Sequence, residues 1–185
     1  QKRQRTHKFA DPVTFSIAVP LYRTPERYLR EMIASVQAQT YPHWELCLAN
    51  GSPEEEQLRK LLEEYAAEDP RICVKQLSEN AGIAGNTNAA LAMATGEYVG
   101  LLDHDDLLEP DALFQVMSTL DAARQRKQPL PELLYTDEDK ISGDGSEYFQ
   151  PNLKPDFNPD FLRSINYICH LVMVRKSLAE EVGLL

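Results

Sequence analysis

Cysteine is scarce in this chain. Cys47, Cys73 and Cys169 lie far apart, are odd in number and form no C-x-x-C pair. They read as reduced packing residues of a cytoplasmic protein rather than a disulfide framework. No run of 18 apolar residues occurs, so nothing reads as a membrane-spanning helix. The amino end lacks the apolar core of a secretion signal, and it begins without Met, as a piece of a longer chain would. Positive charge is also short: 19 Lys and Arg face 29 Asp and Glu, a formal net of −10. Lys2, Arg3, Arg5 and Lys8 hold four of those positive charges, so taking +4 from −10 leaves −14 on residues 9–185. A domain that acidic is a poor general partner for nucleic acid. Internal repeats and low-complexity tracts are absent as well.

The rest is ordinary for one globular domain with a real core: 185 residues, 43% apolar and 26% charged. Residues 1–12 read as a basic arm. It suits an anionic membrane surface, but a solvated flexible end is the plainer reading.

From there the pattern alternates. TFSIAV (14–19) is a strand by its β-branched, apolar run, with Pro20 expected to stop it. Leu29, Met32, Ile33 and Val36 fall at helical spacing. WELCLA (44–49) is a second strand. Ser52, Pro53 and Glu55 predict a capped helix start, with Leu58, Leu61, Leu62 and Tyr65 as its apolar stripe. RICVKQL (71–77) is a third strand, residues 82–95 an alanine-rich helix and EYVGLL (97–102) a fourth strand. Each connection is long enough for a parallel crossover. An open α/β sheet with helices on both faces follows, and such sheets bind ligands outside the carboxyl ends of their strands. VPLY, LANGS, LSENAG and LLDHDD all fall there.

Beyond that edge come a helix from Asp111 to about Lys127, with Leu113, Val116, Met117 and Leu120 on one face, and a strand ELLYT (132–136) opening into Asp137, Glu138 and Asp139. Asp144-Gly145 signals a hairpin turn. QPNLKPDFNPDF reads as extended, HLVMVRK as a late strand, and Ser177 with Glu180 as the cap of a last helix.

The stretch GEYVGLLDHDDLLEP poses the chemical question, because a buried strand empties into Asp103, His104, Asp105 and Asp106. Two carboxylates ~5 Å apart repel by roughly 3 kcal/mol at an effective dielectric of about 20. A divalent cation relieves that repulsion, and Mg²⁺ or Mn²⁺ is usually held by one or two carboxylates plus substrate phosphates. On an extended strand end Asp103 and Asp105 point the same way. A calcium EF-hand is excluded, since Leu107 and Leu108 occupy positions where it needs Asp or Asn and Gly. An acidic loop alone is weak support; its place after a buried parallel strand strengthens it.

At this point SIAVPLYRTPERYLREMIASVQAQTYPHWELCLANGS, followed by ENAGIAGNTNAALAMATGEYVGLLDHDDLLEPDAL, resembles the nucleotide-sugar-binding half of family 2 glycosyltransferases with the GT-A fold. YTDEDKI and KPDFNPDFLRSINYICHLVMVRKSL resemble a bacterial branch that builds surface polysaccharides, including rhamnose-containing ones. The likeness runs from about Val13 to Leu185. It implies a donor half over 13–106 and the start of an acceptor half over 107–185, with the carboxyl-terminal part truncated.

The resemblance implies roles residue by residue. Pro20, Leu21 and Tyr22 would lie against base and ribose. Asn50 replaces the acid that usually meets the base in the family's Asp-Asp-Gly-Ser, with Ser52 closing the segment. Asn80, Gly82 and Asn88 match the segment beside the donor, where Thr87 departs from a frequent Arg. Asp103 would bind ribose or metal, and Asp105 metal and diphosphate, with His104 as a spacer between them. The implied reaction is inverting transfer from a UDP- or dTDP-sugar to a hydroxyl of a glycan or lipid-linked glycan, helped by Mn²⁺ or Mg²⁺, at the inner face of the cell membrane. The general base would lie beyond Leu185. Asp137, Glu138 and Asp139 are weak alternatives, with pairing to Lys140 or Lys154 the plainer role. Asp137 and His170 are weak acceptor contacts, and a packed histidine is an equal reading of His170.

Competing classes are fewer. A nucleotide-binding domain without transfer is favoured by Asn50, Thr87 and the early stop. A nucleotidyltransferase wants a Gly-rich basic loop after the first strand, and VPLYRTPERY has no Gly. A dinucleotide oxidoreductase wants G-x-G-x-x-G, which AGIAGN does not supply. A purely structural module leaves the acidic strand end unexplained.

Overall fold

The chain runs α1 (Lys2–Thr6), β1 (Phe15–Leu21), α2 (Glu26–Gln37), β2 (Trp44–Asn50), α3 (Glu56–Glu68), β3 (Ile72–Gln76), α4 (Gly82–Leu91), β4 (Tyr98–Leu101), α5 (Ala112–Gln125), β5 (Leu133–Tyr135), β6 (Glu138–Ile141), β7 (Tyr148–Asn152), α6 (Pro159–Ser164), β8 (Val172–Arg175) and α7 (Lys176–Val182). This is a computed structural model, and it describes residues 1–183. Among them, six strands form one sheet in the order β3-β2-β1-β4-β8-β5, and β6 and β7 pair separately. β1 to β4 are mutually parallel, as the long helical crossovers require. β8 enters antiparallel between β4 and β5.

Strand alternation divides the core in two. Phe15, Ile17, Val19 and Leu21 join Leu29, Met32, Ile33 and Val36 of α2 and the α5 stripe in the larger cluster. Ala18, Cys47 and Ala49 project to the other face, against Ala90, Leu91 and Ala94. Small side chains on both partners let the alanine-rich α4 lie close to the sheet. Burial pushes the Cys47 thiol up to about 12, so it stays a neutral packing group.

Pro20 does not stop β1; it pairs in register with Ala49. Ala18 O accepts from Leu102 N, so Pro20, two residues on, turns its missing N–H to the same side, past the end of β4. The helix expected at Pro53 starts at Glu56 instead, because Ser52 is already committed. Its Oγ accepts from Arg23 N at 2.7 Å and its N–H donates to Asn50 Oδ1 at 3.0 Å. α4 ends at Leu91 rather than near Thr95. α7 begins at Lys176, ahead of the expected Ser177 cap, because Lys176 N already donates to Glu97 O at 2.9 Å. Part of the expected extended stretch is α6, where Asn158 Oδ1 caps Phe161 N at 2.9 Å and Pro159 opens the helix. The hairpin turn is where expected, with Gly145 at φ +74.

The basic arm is docked rather than free. Arg5 donates to Ala38 O at 2.8 Å, where the carboxyl end of α2 leaves carbonyls without helical partners. Gln4 donates to Asp111 at 3.1 Å, and His7 and Phe9 pack on Phe114.

Between α4 and β4 the chain passes very close to β1. A Cβ on Gly96 would stand 2.5 Å from Thr14 O and 2.7 Å from Ser16 Oγ. Gly96→Ala is therefore expected to destabilise by about 1–3 kcal/mol, the range for forced overpacking, read from urea unfolding. Glu45 secures the same point, accepting from Ser16 Oγ at 2.6 Å, Thr95 N at 2.5 Å and Thr95 Oγ1 at 2.8 Å. Burial raises its carboxyl pKa, but these donors outweigh it and the net shift is downward. The stabilisation is thus present above the ordinary carboxylate range and is lost as pH falls through the lowered value. Glu45→Gln should remove that part of the acid limb of the stability–pH curve.

Candidate active site

The parallel register places the carboxyl ends of β1 to β4 on one edge, with Leu21 opposite Asn50 and Asn50 opposite Gln76. The acidic segment leaves β4 there. It does not stay extended: Asp106 N donates back to Asp103 O at 3.3 Å, closing a turn. That bend pairs positions three apart, so Asp103 meets Asp106, whereas Asp105 faces a cavity of about 1410 Å³ that Asp106, Asp137, Glu138, Asp139, Tyr148 and His170 also line.

His170, just before β8, completes the group. Its Nε2 lies 3.1 Å from Asp103 Oδ2 and 4.0 Å from Asp106 Oδ2. One ligand atom from each of the three residues falls within 4.8 Å of the others. The hydrogen bond from His170 holds the Asp103 carboxyl below its ordinary value, and the same bond raises the imidazole. Burial pushes Asp106 up. A proton on His170 therefore does what a cation would do, offsetting two crowded acids. Two carboxylates and an imidazole are a donor set that Mn²⁺ accepts, and Mg²⁺ accepts the oxygens.

The other expected residues are spread along the edge. Tyr22 is exposed, with the Arg23 guanidinium 5.2 Å from its ring centre, and Pro20 is half-buried. Leu21 and Ser52 are wholly buried beneath that edge. Asn50 is buried too, and its amide is engaged at both ends: Nδ2 donates to Gln76 Oε1 at 2.8 Å and Oδ1 accepts from Ser52 N at 3.0 Å. Asn50 thus joins the ends of β2 and β3 from within, with the exposed Gln76 outside it. Asn80 Oδ1 accepts from Gly82 N and from Asn86 Nδ2, both at 3.0 Å, and so opens α4. Asn88 is half-buried on α4, and His104 is half-buried in the acid turn. Asn86, which no motif marks, also accepts from Ala81 N at 3.1 Å.

In the second acidic motif, Asp137 Oδ1 accepts from Lys154 N at 2.7 Å. Glu138 has both oxygens engaged, by Asn152 at 2.9 Å and Lys154 Nζ at 3.2 Å. Lys140 turns instead to Gln150 at 2.9 Å. Asp139 is exposed.

A mostly parallel α/β sheet with an acid turn at its carboxyl edge defines a GT-A glycosyltransferase fold. The chain belongs to glycosyl transferase family 2, whose family model matches residues 16–183. It is 44% identical over 168 residues to "Uncharacterized protein y4gI" of Sinorhizobium fredii and 37% identical over 168 residues to "O-antigen biosynthesis protein RfbC" of Myxococcus xanthus, covering 91% of this chain in each case. It spans only 18% and 13% of those two proteins. Among solved structures, Staphylococcus aureus TarS 1–349 in complex with UDP-GlcNAc superimposes with a TM-score of 0.69 at 21% identity, over 91% of this chain and 47% of that one. The mannosyltransferase PcManGT of Pyrobaculum calidifontis, in complex with GDP-Man and Mn²⁺, gives 0.63 at 17% identity, over 99% and 52%. At those identities the likeness is one of fold.

Proposed function

We propose that this chain is the donor-binding part of an inverting, metal-dependent glycosyltransferase that moves a sugar from a UDP- or dTDP-sugar to a hydroxyl of a growing glycan. The setting is surface-polysaccharide synthesis at the cytoplasmic face of the membrane, with a lipid-linked acceptor and a rhamnose-containing product as the finer reading. The observation that carries this is the convergence of Asp103, Asp106 and His170 at the carboxyl edge of the sheet. Relatives and structural neighbours named for O-antigen synthesis, UDP-GlcNAc and Mn²⁺ support it.

Asp103 and Asp106, with His170 and the adjacent Asp105, would hold Mn²⁺ or Mg²⁺. The chemistry such an ion supplies is neutralisation of charge on the departing diphosphate. Tyr22 and Pro20 offer the exposed wall for base and ribose, beside Asn80 and Asn88. A carboxylate must take the acceptor's proton. Glu138 is ill suited, with both oxygens engaged and its pKa lowered by Asn152 and Lys154 against the opposing effect of burial. Asp139 and Asp137 are the candidates within this chain, and a carboxylate further along the protein is the other source.

Calorimetric titration with UDP and dTDP, in Mn²⁺ or Mg²⁺ and then in EDTA, tests the reading. Binding is expected with metal and is expected to collapse in chelator. Equal binding in all conditions would remove the metal site from the proposal. The second reading, nucleotide binding without transfer, draws on the internal use of Asn50. It predicts the same titration but neither transfer nor donor hydrolysis in a screen of nucleotide sugars.

A further inference from the structure

A buried cation stands behind the acid–histidine group without belonging to it. Lys154 lies between β7 and α6, and its side chain is 1% exposed. Burying an ammonium is costly unless every proton is matched. Here each is: Nζ donates to Ile168 O at 2.5 Å, to His170 O at 2.7 Å and to Glu138 Oε2 at 3.2 Å. The two carbonyls flank Cys169, whose φ is +40, in a stretch with no regular secondary structure between α6 and β8. That stretch delivers His170 to Asp103. The backbone N–H of Lys154 meanwhile fixes Asp137, and Leu171 N donates to Thr136 Oγ1 at 3.2 Å. One ammonium thus ties the histidine-bearing loop to the second acidic motif.

We propose that Lys154 is a positioning residue for the metal seat: its ammonium clamps the backbone on both sides of Cys169 so that His170 Nε2 faces Asp103 and Asp106. This rests on the reading of those three residues as ligands. Lys154 itself touches neither metal nor donor. Without it, three oxygens lose a common donor and the loop loses the tie that sets the imidazole's direction. Groups that orient a ligating histidine by bonding its ring are typically worth about 10–100-fold in metal affinity, and Lys154, which fixes the backbone that carries the ring, is expected to act in the same range.

The test uses the whole 185-residue chain, Mn²⁺ as the probe and two readouts: calorimetric affinity, and the ¹⁴N coupling that a ligating imidazole gives bound Mn²⁺ in pulsed EPR. The wild type loaded with Mn²⁺ should show that coupling. Lys154→Met should melt cooperatively, bind Mn²⁺ about 10–100-fold more weakly and, at saturating Mn²⁺, lose the imidazole coupling. Lys154→Gln, which keeps one donor for a carbonyl, should fall between. A folded variant of either kind with wild-type affinity and wild-type coupling overturns the proposal. So does failure of both to fold, which would assign the ammonium to stability alone. Asp103→Ala is the separate check on the seat: wild-type Mn²⁺ affinity there would bring down the ligand reading itself, whatever Lys154 does.

Discussion

Asp103→Ala is expected to weaken metal-dependent nucleotide binding by at least ~100-fold, about 2.7 kcal/mol. The substitution removes the acid that holds His170 as well as a ligand, so seat and orienting bond go together. Because the raised imidazole must shed its proton before it can ligate, Mn²⁺ affinity in the wild type should climb with pH as His170 deprotonates. In the variant His170 should titrate nearer its ordinary value, and that dependence should move to lower pH. Calorimetry across a pH series reads both effects. Affinity that is flat with pH and unchanged by the substitution would mean that this turn is an acidic surface loop and no more.

The second large effect concerns stability. Gln39→Leu is expected to cost about 3 kcal/mol, and by the usual scaling roughly 6–12 °C in Tm for a domain of this size. Gln39 is 3% exposed and its amide makes three bonds: to Ser35 O at 3.2 Å, to Glu109 O at 2.8 Å and from Leu113 N at 3.0 Å. The last two partners lie just past the acid turn, at the start of α5. Leucine would fill the space but leave Leu113 N buried and unpaired, and would take from Glu109 O one of its two donors, the other being Ala112 N at 2.9 Å. Ser35 Oγ adds a fourth link, accepting from Leu108 N at 3.1 Å. The end of α2 therefore anchors the segment that carries Asp103 to Asp106. A thermal melt of the variant within 2 °C of wild type would contradict this account.

Much of this was legible in residue order. The apolar stripes of α2, α3 and α5 were each readable from spacing, and their leucines, Met32, Ile33, Val36, Val116 and Met117 are buried. The parallel order of the first four strands followed from the length of their connections. The errors cluster at element ends. Ser52 and Ser177 looked like caps, yet Ser52 joins two strand ends and Ser177 sits inside α7, because backbone groups from distant strands reached those positions first.

Sequence alone determined the open α/β sheet and its edge of acids, because side-chain periodicity and crossover length are local quantities, and its motifs carried the resemblance to the family. Tertiary structure alone decided which acids meet. A single turn exchanged the expected Asp103–Asp105 pairing for Asp103 with Asp106, brought in a histidine from the antiparallel strand's approach, and set a buried lysine behind it. Those choices depend on where separate segments come to rest against one another, and charge balance in a crowded, half-buried space fixes that only once the chain has folded.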